Sequence, residues 1–155
     1  MQCITTVRFS ILVNSIPTTR FSPSRGLRQG NPLLLYLFLF VSHALSYLLL
    51  AAKAEDRLQD LWISHFSPTI TDIMFANYTL LFARALRCEA SHLLHILKDY
   101  FSASGQCINF SKSHIYFSWM TSSSWKKEIL QLFHMQEMRQ GDKYLGLLVI
   151  LGRSK

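Results

Sequence analysis

Residues 69–83 read TITDIMFANYTLLFA, two β-prone runs, Thr69 to Met74 and Thr79 to Ala83, around a four-residue corner, Phe75-Ala76-Asn77-Tyr78. That pattern predicts a β-hairpin. Helical periods flank it. Downstream, Glu89 to Ala103 places Leu93, Leu94, Leu97 and Phe101 on one face, with Gly105 as its stop. A short strand is expected at Ile115 to Ser118. Trp125 to His134 is a second amphipathic helix behind a run of serines suited to N-capping, and Tyr144 to Ile150 is a final strand or strand-like tail. Upstream, Thr5, Val7, Phe9, Ile11 and Val13 alternate with Thr6, Arg8, Ser10, Leu12 and Asn14, as in a strand. Asn14-Ser15-Ile16-Pro17 supplies turn chemistry, and Thr18 to Phe21 is a candidate return strand. A loop, Ser22 to Asn31, leads into an apolar helix that runs to about Arg57. Strands and helices interleave, with hairpins among the strands, so the expected class is α+β in a single domain, 1–155.

The chain has 155 residues, 16 Lys+Arg against 9 Asp+Glu, a net charge of +7 and a hydrophobic share of 50%. High hydrophobicity with modest charge excludes an intrinsically disordered chain. Three scattered cysteines, Cys3, Cys88 and Cys107, exclude a disulfide scaffold. Met1 to Val13 has no long apolar run and carries Arg8, so no secretory signal is read there and an intracellular setting is expected. The basic excess leans toward a polyanionic partner. Leu33 to Ala52 reads LLLYLFLFVSHALSYLLLAA, long enough to span a bilayer, with Arg28 and Lys53 at its flanks. Ser42, His43 and Ser46 near its centre, and Pro32 at its first turn, suit a buried core helix instead. A membrane use of 33–52 stays as the alternative.

Chemistry first gathers in Arg25-Gly26-Leu27-Arg28-Gln29-Gly30-Asn31-Pro32. Glycines allow close backbone approach, arginines pair with phosphates, and a helix N-terminus favours anions. The segment therefore reads as a candidate phosphate-binding loop, with a solvated glycine loop as the plain alternative. Cys88, His92, His95 and Asp99 share a helical face with metal-friendly donors. One helix cannot wrap four ligands around a tetrahedron, and this face lies opposite Leu93, Leu94, Leu97 and Phe101. It reads as the solvent face of an amphipathic helix. Ser, His and Asp are plentiful, but no nucleophile-elbow context supports hydrolase chemistry.

The wording of these segments resembles one family. RGLRQGNP followed by YLFLF closely resembles the RGLRQGDP-plus-YLF segment of reverse transcriptases from plant non-LTR, LINE-type retrotransposons. Further landmarks arrive in that family's order. Phe75-Ala76-Asn77-Tyr78 lies where the family has Phe-Ala-Asp-Asp. Ser104-Gly105-Gln106, Ile108-Asn109 and Lys112-Ser113 look like its SGQ-x-IN-x-x-KS segment. Lys143-Tyr144-Leu145-Gly146 and Gly152-Arg153-Ser154-Lys155 look like its KYLG and GRSK.

The resemblance implies part of a polymerase palm, with the fingers and the first catalytic strand falling before Met1. In the intact family, carboxylates from that strand and from the hairpin hold two magnesium ions, which clamp the attacking and leaving oxygens. Magnesium demands charged oxygen ligands, whereas Asn77 offers a neutral amide and Tyr78 a phenol with a pKa near ~10. Asp72 is the one nearby acid, but strand alternation and distance set it away from Asn77. Asn31 and His43 stand where the family has further acids. The implied state is a degenerate, truncated relic without polymerase activity and with no bound cofactor. Lys112 matches a lysine that assists proton transfer in the family. Residual contact with RNA or primer–template would involve Arg25, Gly26, Arg28, Gln29, Gly30, Lys112 and Lys143. No stable protein partner is expected.

Overall fold

A computed structural model describes residues 6–23, 30, 32–62, 68–76, 78–139, 142–144 and 146–148. The chain divides into two compact units, Met1–Phe40 and Val41–Lys155. Among the described residues, three α-helices and ten short strands form an α+β fold.

In the first unit, β1 (Leu12–Val13) pairs antiparallel with β2 (Ile16–Pro17), Leu12 opposite Pro17 and Val13 opposite Ile16. Asn14 and Ser15 both take positive φ, 50° and 67°, the geometry a tight two-residue hairpin turn demands. Phe9 and Phe21 exchange backbone hydrogen bonds of 2.8 Å further along. Between these pairs the Ile11 N–H donates to the Thr18 hydroxyl at 3.0 Å. That side-chain acceptor interrupts the ladder, so the strand expected over 5–13 shrinks to a two-residue strand and a single bridge. Thr5 lies outside the described residues.

Helix α1 (Pro32–Ala54) starts with proline at its first position, where no N–H is needed. It ends earlier than the apolar pattern suggests. Asp56 turns left-handed at φ 55°, and the Arg57 and Leu58 N–H groups fold back to the Ala52 carbonyl at 2.9 and 3.2 Å.

Helix α2 (Arg87–Ser104) begins before Glu89 and stops at Gly105, whose φ of 69° lets its N–H reach the Phe101 carbonyl. Helix α3 (Ser123–Phe133) is capped by Ser122, which accepts from the Trp125 N–H, and closes on a left-handed His134. Leu45, Leu49 and Ala52 of α1 share one buried cluster with Leu93, Ile96, Leu97 and Tyr100 of α2 and with Ile129 and Phe133 of α3. Leu58, Ala90 and Phe117 complete it.

The strands of the second unit form separate pairs. β3 (Leu61–Trp62) pairs antiparallel with β4 (Thr69–Ile70), and β5 (Asp72–Phe75) with β6 (Tyr78–Leu81). The run expected over 69–74 is thus two strands. Thr71 accepts at its carbonyl from Phe82 N–H, which ends the hairpin ladder, and residues 69–70 turn to a different partner. β7 (His114–Ile115) runs parallel to β8 (Gln136–Glu137), shorter than the strand expected over 115–118. β9 (Lys143–Tyr144) and β10 (Leu147–Leu148) are antiparallel. The tail expected as one strand over 144–150 is therefore a hairpin, because Gly146 sits at φ 83° and reverses the chain.

Candidate functional site

The β5–β6 hairpin presents the candidate corner. Its register pairs Asp72 with Leu81, Ile73 with Leu80, Met74 with Thr79 and Phe75 with Tyr78. Phe75 and Tyr78 are thus strand residues, and the corner is narrower than the four residues expected. Ala76 accepts φ 51° to make the turn. Asn77 lies outside the described residues. Met74 and Leu81 pack against the core, while Phe75 and Tyr78 are exposed.

Tyr78 has a neighbour that no local pattern announces. Its ring meets Tyr144 of β9 edge-on, centroids 6.1 Å apart at 84°, an arrangement aromatic quadrupoles favour. The Tyr144 hydroxyl is buried and has no hydrogen-bond partner among the described residues. Tyr78 and Tyr144, distant in sequence, therefore touch through their rings.

Asp72 is committed elsewhere. It sits at the opposite end of the hairpin from the turn, and its Oδ2 accepts from the Ser46 hydroxyl of α1 at 2.7 Å. Lys53 donates to the Thr71 hydroxyl at 3.4 Å and pairs with Asp60. These contacts pin the base of the hairpin to the C-terminal half of α1.

The residues present do not fit a two-magnesium site. An amide and a phenol are not the paired carboxylates whose charged oxygens such ions need. No cluster of three or more His, Cys, Asp or Glu side chains able to hold a metal occurs among the described residues.

The remaining candidates are scattered. Arg25, Gly26, Arg28 and Gln29 lie outside the described residues, as does Asn31. Gly30 is exposed at φ 83° with open space around it. Lys112 is exposed in the turn after Asn109, whose carbonyl accepts from the Lys112 N–H. Lys143 lies on β9, and His43 is exposed on α1.

On α2, Cys88, His95 and Asp99 are exposed, and His95 approaches Asp99 at 3.9 Å. His92 departs from the expected solvent face. It is half-buried, with Nδ1 3.1 Å from the Arg57 carbonyl just beyond α1. The chain returning from α1 covers that position. Sequence reasoning also misses Glu89, which is 3% exposed and holds Arg84 through its guanidinium at 2.6 Å and its backbone N–H at 3.1 Å. An acid in the first helical turn is the only local signal of that pair.

No family model matches the chain, and no solved structure matches it. An uncharacterized mitochondrial protein of Arabidopsis thaliana is 41% identical over 68 residues, a region covering 44% of this chain and 56% of that protein. The chain thus spans little more than half the length of the curated relative it matches.

Proposed function

We propose that this chain is a degenerate palm of a reverse transcriptase similar to those of plant LINE-type retrotransposons, and that it does not catalyse nucleotidyl transfer. The observation that carries the reading is the tight β5–β6 hairpin, which pairs Phe75 with Tyr78, so that the Phe-Ala-Asn-Tyr segment of the sequence falls at its closed end. The family's paired carboxylates correspond to Asn77 and Tyr78, and neither side chain is an anion at neutral pH. The edge-on contact of Tyr78 with Tyr144 adds support, since it joins two of the family-like landmarks. Asp72 offers no replacement, being held by Ser46.

A bilayer-spanning use of 33–52 stands as the second reading, because the helix expected to be a buried core helix is mostly exposed. α1 is long and apolar enough to cross a membrane and only 11% of its apolar window is buried, whereas Leu45, Leu49 and Ala52 belong to the core and Ser46 is bonded to the hairpin. The Arabidopsis relative is described as mitochondrial, which supports an intracellular, organellar setting for this chain as well. Cys88 and Cys107 are free thiols, in keeping with that setting.

The test is primer extension by the purified chain on a primed RNA template with magnesium or manganese. The expected result is no nucleotide incorporation above a no-protein control. Template-dependent incorporation would overturn the reading.

A further inference from the structure

Along α1 two faces separate by spacing. Leu45, Leu49 and Ala52 are buried, four and three residues apart, and Val41 and Leu48 pack against the core with them. Tyr36, Phe40, His43, Tyr47, Leu50 and Ala54 are exposed, and the steps between them run 4, 3, 4, 3 and 4. That alternation is the 3.5-residue period of a coiled-coil seam, the a and d positions of a heptad. Val41, Leu45, Leu48, Leu49 and Ala52 then fall at b, c and f, on the side away from the seam. None of the six seam residues is an acid, a lysine or an arginine.

The face is large enough to hold a protein partner. Tyr36, Phe40 and Tyr47 are 62%, 72% and 66% exposed, which at roughly 200 Å² per aromatic side chain leaves about 400 Å² open on three residues. Leu33, Leu39 and Leu50 are exposed on or beside the same seam. They carry the face toward the roughly 800 Å² that each partner gives to a stable interface.

We infer that this seam pairs α1 with α1 of a second copy of the chain, antiparallel, about a two-fold axis between Val41 and Ser42. The seam is self-complementary in that arrangement. Tyr36 faces Tyr47 of the other copy, Phe40 faces its His43 and Leu33 faces its Leu50, so each layer matches residues of similar size. A parallel pair would instead stack His43 on His43 at mid-seam and align the two helix dipoles side by side. Antiparallel pairing opposes those dipoles and sets each imidazole on a phenyl ring. A single polar residue inside an apolar seam also fixes register. A bilayer would leave the 3.5-residue spacing without a cause and would hold His43 near mid-membrane, where an ionisable group is costly. The inference goes beyond the palm reading and rests on none of its landmarks.

The test is sedimentation equilibrium of the full chain over a range of concentrations, with phosphatidylcholine vesicles as a separate arm. A monomer–dimer equilibrium is expected. Phe40→Glu and Tyr47→Glu should each raise the dimer dissociation constant at least roughly a hundredfold, since each side chain is buried twice in a symmetric pair. Leu35 is 65% exposed but lies off the seam, so Leu35→Glu should dimerise as the natural chain does. Tyr36→Lys with Tyr47→Glu in one chain should dimerise more tightly than either single variant, because antiparallel pairing brings the two opposite charges together and parallel pairing does not. These side chains are all exposed, and circular dichroism checks that the variants stay folded. A monomer at every concentration, polydisperse aggregates, or an equal loss in Leu35→Glu and Phe40→Glu overturns the seam. A chain that stays monomeric and inserts into vesicles overturns it in favour of the bilayer reading. No recovery in the charge-paired variant overturns the antiparallel arrangement. Each of these results leaves the proposed catalytic silence intact, and template-dependent synthesis would overturn that silence while leaving the seam untouched.

Discussion

Tyr78 and Tyr144 meet edge-on, 6.1 Å between ring centroids, and so tie the β5–β6 hairpin to the β9–β10 hairpin. Tyr78, exposed at the start of β6, thus makes a packing contact with a residue far away in sequence. A double-mutant cycle of Tyr78→Ala and Tyr144→Ala should return a coupling of about 0.5–1.5 kcal/mol. Tyr144→Phe should be neutral or slightly stabilising, because its buried hydroxyl lacks a partner among the described residues. Urea midpoints measure both, and additive single effects would remove the contact from the account.

Ser46 and Asp72 make the second link, from α1 to the hairpin base. Ser46→Ala removes the donor to a half-buried carboxylate and should cost about 1–2 kcal/mol. Asp72→Asn should cost less, since its amide oxygen can still accept. Chemical denaturation of the two variants checks the order.

Backbone sign predicts opposite outcomes at two turns. Gly105 occupies φ 69° with no atom near an added Cβ, so Gly105→Ala meets conformational strain alone and should lose about 1 kcal/mol. Ala76 already bears such strain at φ 51°. Ala76→Gly should therefore gain a few tenths of a kcal/mol, roughly the strain relieved less the added freedom of the unfolded chain. Thermal melts of the two variants should shift in opposite directions.

Alkaline stability should report on Tyr100. Burial raises its pKa above the usual 10.0, so the folded chain holds the phenolic proton more tightly than the unfolded chain does. The contribution is complete below about pH 10 and is lost as pH rises from there through the folded value. Tyr100→Phe should flatten that alkaline decline. At neutral pH it should lose about 0.5–1.5 kcal/mol with the 3.0 Å bond to Gln106. Denaturant unfolding as a function of pH separates the two effects.

The proposed phosphate contacts make a further prediction. Arg25→Ala with Arg28→Ala should weaken RNA binding equally for unrelated sequences and reduce its salt dependence, because phosphate contacts carry no sequence code. Filter binding across several salt concentrations measures this, and an unchanged affinity would remove the loop from the binding surface.

Helix ends are readable in the sequence where capping chemistry is local. Gly105 stops α2 and Ser122 starts α3 by backbone rules that act within a few residues. The hairpin is readable too, but its turn is narrower than composition suggests because Ala76 adopts a conformation its residue type disfavours. β3, β8 and the split of residues 69–75 leave no periodic trace, since two-residue strands are too short to show alternation. The Tyr78–Tyr144 contact, the Ser46–Asp72 bond and the covering of His92 by Arg57 depend on chain segments far apart. Such encounters are set by packing, which no local window contains.

Nearly all the strand pairing is between neighbours in the chain: β1 with β2, β3 with β4, β5 with β6 and β9 with β10. Among the described residues, only β7 and β8 pair across an intervening helix, α3. Low contact order of this kind speeds folding. Hairpins close in about 1–10 μs, so the β elements can form before the chain has collected its core. The expected slow event is then the gathering of α1, α2 and α3 around Leu49 rather than the pairing of strands.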